Sequence, residues 1–315
     1  MAHTYVRICP TCIPKIIVGV AIGWVVGIYL SQSFLRTSHV RSDDTEQISA
    51  GPLRPAQHRG RVNLFIDLNG VLVKRDQHAT VRELGIFTAM RIGNPAKFEK
   101  RLLDFLALVP PLSSDSSWTT GSTLPPIMTN WLRGLCTGQQ ALAQVQKTAH
   151  SQESFFVSRS EKTLIMRICE MMFCPQTLIR MMSPVREGFA FLKYFAEQYR
   201  VIVTTNWDKE SFEVLRQDKR FADIFTHAEL AIVSSHIGHI KPDAGFFKQA
   251  CCEAEIDPSC EAIIYIDDEE VNLQGAQALK YPYLYALKCD GTNYRELTTQ
   301  VEQVLREFEC CSSDR

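Results

Sequence analysis

The chain has 315 residues, 45% of them hydrophobic and 22% charged, which excludes wholesale disorder and leaves room for one large or two ordinary domains. Its 34 basic and 35 acidic side chains give a formal net charge of −1, so nothing in the overall charge favours nucleic acid and any anion site must be local. Eleven cysteines, an odd number scattered through a chain too long to need stapling, read as thiols in a reducing compartment.

The N-terminal tail, residues 1–15, ends at an uncharged run that starts with IIVGVAIGWVVGIYL and continues to Leu35. About twenty residues at about 1.5 Å each reach about 30 Å, enough to cross a bilayer core, so residues 16–35 are expected to form a single-pass transmembrane anchor. No small-x-small cleavage site follows promptly, which disfavours a signal peptide. Basic residues close to the run mildly favour placing the large domain on the cytoplasmic side. Gly19, Gly23 and Gly27 recur every four residues and mark a helix face on which a second copy could pack as a homodimer.

Residues 36–60, polar and broken by Gly51, Pro52 and Pro55, read as a tether. A short apolar run, Val62 to Ile66, then stops at Asp67-Leu68-Asn69-Gly70, as a buried strand ending in a turn does. Four more runs have this character: Arg200 to Thr205, Leu230 to Val233, Ala262 to Ile266 and Tyr283 to Leu287. Helix-like segments lie between most of them, at Val185 to Glu197, Phe246 to Glu255, Asn272 to Leu279 and Tyr294 to Phe308. That alternation predicts an α/β fold, a Rossmann-like three-layer arrangement with a parallel sheet covered on both faces. The block from Val73 to Met182 shows helical runs at Pro95 to Leu108, Gln139 to Lys147 and Glu161 to Met172 and no convincing strand. It reads as a helical insertion, residues 73–182, in a core formed by 61–72 and 183–308, with 309–315 as a polar tail.

In open parallel sheets ligands sit beyond the carboxyl ends of the strands. Asp67 and Asn69 end the first run, Thr205 and Asn206 the second, Asp267 and Asp268 the fourth, and Lys241 follows the third in the loop SSHIGHIKPDAGFF. Taken singly, each has an ordinary structural reading as a turn former or helix cap. The adjacent Asp267 and Asp268 are harder to dismiss, because paired carboxylates after a buried strand repel unless a cation or donors intervene. His236 and His239 have ligand spacing but no cysteine or acid to complete a zinc set.

The segments FIDLNGVLV, VIVTTN, GHIKPD and YIDDEEVNLQGA, in this order, resemble the four motifs of the haloacid dehalogenase superfamily, most of whose members are aspartate-nucleophile phosphatases. The resemblance runs from Val62 to about Leu287, and the insertion matches only in position and type a cap that closes over the active site. It implies Asp67 as the nucleophile and a Mg2+ held by the Asp67 carboxylate, the Asn69 carbonyl and the Asp268 carboxylate. It further implies Asn272 and, more weakly, Asp267 behind the metal shell, Thr205 and Asn206 as donors to the phosphoryl oxygens, and Lys241 beside phosphoryl group and Asp67. Trp118 and Trp131 are candidates to line a pocket under the cap.

Asn69 departs from the pattern, since such phosphatases usually carry there a second aspartate that protonates the leaving oxygen. An amide does not titrate near neutral pH, and loss of a general acid costs about 10²–10⁴-fold in rate. Three readings follow: a phosphatase of small phosphorylated substrates resembling the branch with glycine at this position, an inactive binding module, and a dehalogenase, whose halide needs no proton on leaving.

Overall fold

The computed structural model describes residues 62–113 and 124–313, with side chains as far as Phe308 in the last helix. Seven strands, β1 (Val62–Asp67), β2 (Val73–Arg75), β3 (Met182–Pro184), β4 (Arg200–Thr205), β5 (Leu230–Val233), β6 (Ala262–Asp267) and β7 (Leu284–Lys288), divide between two sheets. The larger is five-stranded in the order β5-β4-β1-β6-β7, every neighbouring pair parallel. All five expected strands are present, shifted by at most one residue at an end.

Residues along β1 alternate between two apolar layers. Val62, Leu64 and Ile66 join one cluster with Val201, Val203, Ile264 and Ile266, while Phe65 joins another with Ile202, Ile232, Ile263 and Tyr265. A sheet buried on both faces accounts for the unbroken apolar runs of the sequence. The first layer is covered by helices at Arg186–Ala196 and Tyr294–Ser313, the second by helices at Ala244–Glu253 and Glu270–Gln277. After β1 the chain builds outward through β4 and β5, then crosses back to place β6 on the other side of β1. The carboxyl ends of β1 and β6 therefore flank the switch point where a crevice opens.

Between β2 and β3 lies a block with helices α1 (Gln77–Leu84), α2 (Pro95–Ala107), α3 (Pro126–Leu132), α4 (Gly138–Ser151), α5 (Arg159–Phe173) and α6 (Pro175–Arg180). Its ends are β2 and β3 themselves, an antiparallel pair with Val73 opposite Pro184 and Arg75 opposite Met182. The sequence reading placed no strand in this stretch. Three residues are too few to show alternation, and the partner strand lies about a hundred residues away. The last helix runs to Ser313, through most of the segment expected as a polar tail.

Among the described residues no helix is long and apolar enough to cross a membrane. The longest, Tyr294–Ser313, has 20 residues but is apolar on one side only, with charged residues such as Arg295, Glu302 and Arg306 on the other. This overturns the expectation of a single-pass membrane protein with its domain on the cytoplasmic side. The run from 16 to 35, with Gly19, Gly23 and Gly27, lies outside the described residues, as do the tether and Trp118.

Candidate active site

β1 delivers Asp67 into the crevice, and one helical turn follows it, closed by Leu72 N–H and Val73 N–H donating to the Leu68 carbonyl at 2.9 and 2.7 Å. Gly70 enters that turn at φ +89°, and a Cβ there would run into the Asp268 carboxylate. The turn thus brings its backbone at Gly70 against the end of β6.

Asp67, Asp267 and Asp268 each offer an oxygen within 4.8 Å of the others, all three buried. Their partners separate them. Asp267 accepts from Lys241 Nζ at 2.8 Å, the Glu269 N–H at 2.9 Å, Asn272 Nδ2 at 3.0 Å and the Tyr265 hydroxyl. With both oxygens engaged it is an anchor for its neighbours. Asp67 shares Lys241 Nζ, so the ammonium sits between two carboxylates and also reaches the Thr204 carbonyl at 3.4 Å.

Lys241 reaches this position through a clamp. Asn206 Nδ2 donates to the Lys241 carbonyl at 2.9 Å, and the Lys241 N–H donates to Asn206 Oδ1 at 2.8 Å. Both ends of the amide thus engage the lysine backbone, giving Asn206 a positioning role besides the expected one toward a phosphoryl oxygen. Gly275 lets helix Glu270–Gln277 close on the same loop, since a Cβ there would strike the Pro242 carbonyl. Among the described residues the buried Thr205 hydroxyl has no hydrogen-bond partner, nor does Asn272 Oδ1.

Electrostatically the site is short of positive charge. Burial raises Asp67 well above the usual carboxylate range despite the nearby Lys241, and burial with the charges of Asp67 and Asp267 raises Asp268 likewise. Burial also lifts Glu269 to about 7. Burial alone would lower Lys241, but Asp267 and Asp67 outweigh it and hold the ammonium above its ordinary value. One cation faces a surplus of acids, so the carboxylates either keep protons or share a further cation.

Asp67, Asn69, Lys241, Thr205, Asp267, Asp268 and Asn272 are thus gathered at one end of the sheet, and Asn206 stands behind them. Tyr265 was missed in the sequence, although strand alternation puts it on the same face as Asp267 two residues on. His236 packs its ring edge-on against Phe212 at 5.7 Å, and Trp131 is buried in the helical block against Phe173 at 5.0 Å.

A central β1 flanked by β4 and β6, an acid at the end of β1, a lysine after β5 and paired acids after β6 decide the architecture. The fold is haloacid dehalogenase-like. No family model matches the sequence, and no curated protein matches it. Among solved structures it is similar to a HAD family enzyme from Bacteroides thetaiotaomicron, crystallised with magnesium and inorganic phosphate, at 21% identity over 76% of this chain and 99% of that one, with a TM-score of 0.48. It is also similar to a HAD-like family hydrolase from Porphyromonas gingivalis, at 13% identity over 77% and 98%, TM-score 0.47. A 2-haloacid dehalogenase from Pseudomonas syringae pv. tomato matches at 14% identity over 79% and 99%, TM-score 0.43.

Proposed function

We propose that this protein is a magnesium-dependent phosphohydrolase of small phosphoesters that works through an aspartyl-phosphate on Asp67. The observation that carries the reading is the meeting of Asp67 and Asp268 at the ends of adjacent strands, with one ammonium for three buried carboxylates. The donor set fits a hard divalent cation: two carboxylates, a main-chain carbonyl at Asn69, and the orphaned Asn272 Oδ1 placed to hold a metal-bound water. Bound there, Mg2+ would neutralise charge between nucleophile and phosphoryl group.

Asp67 attacks phosphorus and the ester P–O bond breaks. The departing oxygen takes its proton from water, because the Asn69 amide has none to give. Water then attacks the acyl phosphate and releases phosphate, restoring the carboxylate. Lys241 favours the ionised form of Asp67, which a bound cation would complete, and faces the incoming anion; the Thr205 hydroxyl donates to a phosphoryl oxygen, and Asn206 positions Lys241. Asp267 holds Lys241 and Asn272 in place. The helical block 73–182 takes the part of a cap in this reading, and Asp67 and Asp268 beneath the site's surface are each only 5% exposed.

Asn69 supports a second reading, a module that binds phosphate without useful turnover. The surplus of buried acids favours either reading over a metal-free dehalogenase. A phosphate-release screen with and without magnesium separates them. Nitrophenyl and acyl phosphates are expected to turn over far better than alkyl phosphates, and Asn69→Asp to raise the alkyl esters most, by about 10²-fold or more. Activity untouched by Asp67→Asn would remove the nucleophile assignment, and phosphate binding without release from any ester would establish the binding module.

A further inference from the structure

Arg75 ends β2, two residues beyond Val73, whose carbonyl accepts from the Gly70 N–H at 2.7 Å. Val73 also bridges to Asn69, so the strand carrying Arg75 springs directly from the catalytic turn. Along β2, Val73 is fully buried, Lys74 is exposed and Arg75 turns inward again. What remains exposed of Arg75 is not its charged head: Nε, Nη1 and Nη2 are each buried, and none has a hydrogen-bond partner among the described residues. Burial lowers the guanidinium to about 9, with no acid offsetting it, so at neutral pH it is an unpaired buried cation.

Such a group is costly in a resting protein, and five donors in a rigid fork match an oxyanion bidentately. By contrast the more exposed Arg220 is engaged, donating to the Met182 and Ile179 carbonyls at 2.8 and 3.0 Å. On this hairpin Arg75 carries a buried guanidinium that no described residue engages, on the strand that leaves the turn with Asn69. We propose that Arg75 is a substrate-recognition residue that binds a second oxyanion, a carboxylate or a phosphate, carried on the organic part of the phosphoester. This rests on the phosphohydrolase reading and narrows its substrate class to phosphoesters with a further anionic end.

The test uses the full chain with magnesium and three alkyl phosphates ending in a hydroxyl, a carboxylate or a second phosphate. Wild type is expected to favour one anionic end over the hydroxyl by about 10- to 100-fold in kcat/KM, the span of a charge-assisted hydrogen bond pair. Arg75→Met is expected to collapse that ratio toward one, chiefly through KM. Arg75→Lys, which keeps charge but not fork, should fall between and carries the test if the Met variant does not fold. Lys74→Met, on the exposed face, should keep the wild-type ratio. A wild-type ratio near one, or a ratio that survives Arg75→Met, overturns the proposal. If no ester is hydrolysed, the phosphohydrolase reading fails, and thermal midpoints decide Arg75 separately. A rise with malonate or pyrophosphate in wild type but not in Arg75→Met upholds the anion site; equal rises or none overturn it.

Discussion

Gly70 shows how narrowly one residue fixes the site. Its φ of +89° and the absence of a Cβ let the turn after Asp67 lie against the Asp268 carboxylate. Gly70→Ala is expected to cost about 1–3 kcal/mol in backbone strain and to push Asp268 away. Magnesium affinity should therefore fall more than urea stability does, which calorimetric titration and a urea midpoint together would read; a variant with wild-type metal affinity would contradict the packing. Asp208 makes a different prediction. It caps helix Lys209–Gln217 by accepting the Ser211 N–H at 2.9 Å, while its Oδ2 has no partner among the described residues. Burial lifts its pKa to about 6. The folded state then holds a proton that the unfolded state, titrating near 3.8, releases, so this group's contribution is full below about pH 4 and is lost as pH rises to about 6. The loss is on the order of 2–3 kcal/mol. Asp208→Asn keeps the capping oxygen without the charge, so its urea midpoint should gain on wild type between pH 4 and 7. Parallel profiles would show that Asp208 is not burdened by its charge.

Between elements, polar links join the helical block to the core beside the apolar cluster that the two share. Ser234, at the end of β5, donates to the Leu132 carbonyl at 2.7 Å and accepts the Trp207 N–H at 2.9 Å. Arg133 reaches the Gly238 carbonyl at 2.6 Å, and the Gly138 N–H donates to Glu210 at 2.9 Å. Ser234→Ala leaves two buried backbone groups short of a partner and is expected to cost about 1–3 kcal/mol. Amide exchange should quicken first in α3, which ends at Leu132; exchange that quickened only in β4 and β5 would place the tie elsewhere. None of the three links from block to core was legible in the sequence, because each joins positions about 70 or more apart through a single polar atom. The strands were legible for the opposite reason. Runs such as Ala262 to Ile266 are apolar at every position, which only two-sided burial explains, and the strand-end acids stand out against them. β2 and β3 were not, since Val73-Lys74-Arg75 and Met182-Ser183-Pro184 show no period. The site divides in the same way: the titratable residues stand out by type, whereas the clamp of the Asn206 amide on the Lys241 backbone has no mark in the sequence.

For the molecule as a whole, the site is a place where folding works against itself. Asp67 and Asp267 share Lys241 with Asp268 close by, and burial raises the pKa of Asp67 and Asp268, so their charged forms are disfavoured there. A protein that keeps such a cluster trades stability for an ion site. Two consequences separate that trade from an ordinary acidic patch. Magnesium at about a hundredfold its Kd should raise wild-type stability by about 2.7 kcal/mol, seen as a higher thermal midpoint. Asp268→Asn should abolish that rise while itself melting above metal-free wild type, because an amide removes one buried charge without opening a cavity. If Asp268→Asn instead melts lower and still responds to magnesium, the carboxylate serves the fold and the ion is held elsewhere. The two midpoints, with and without magnesium, thus read site and scaffold in one experiment, and no substrate need be known for it.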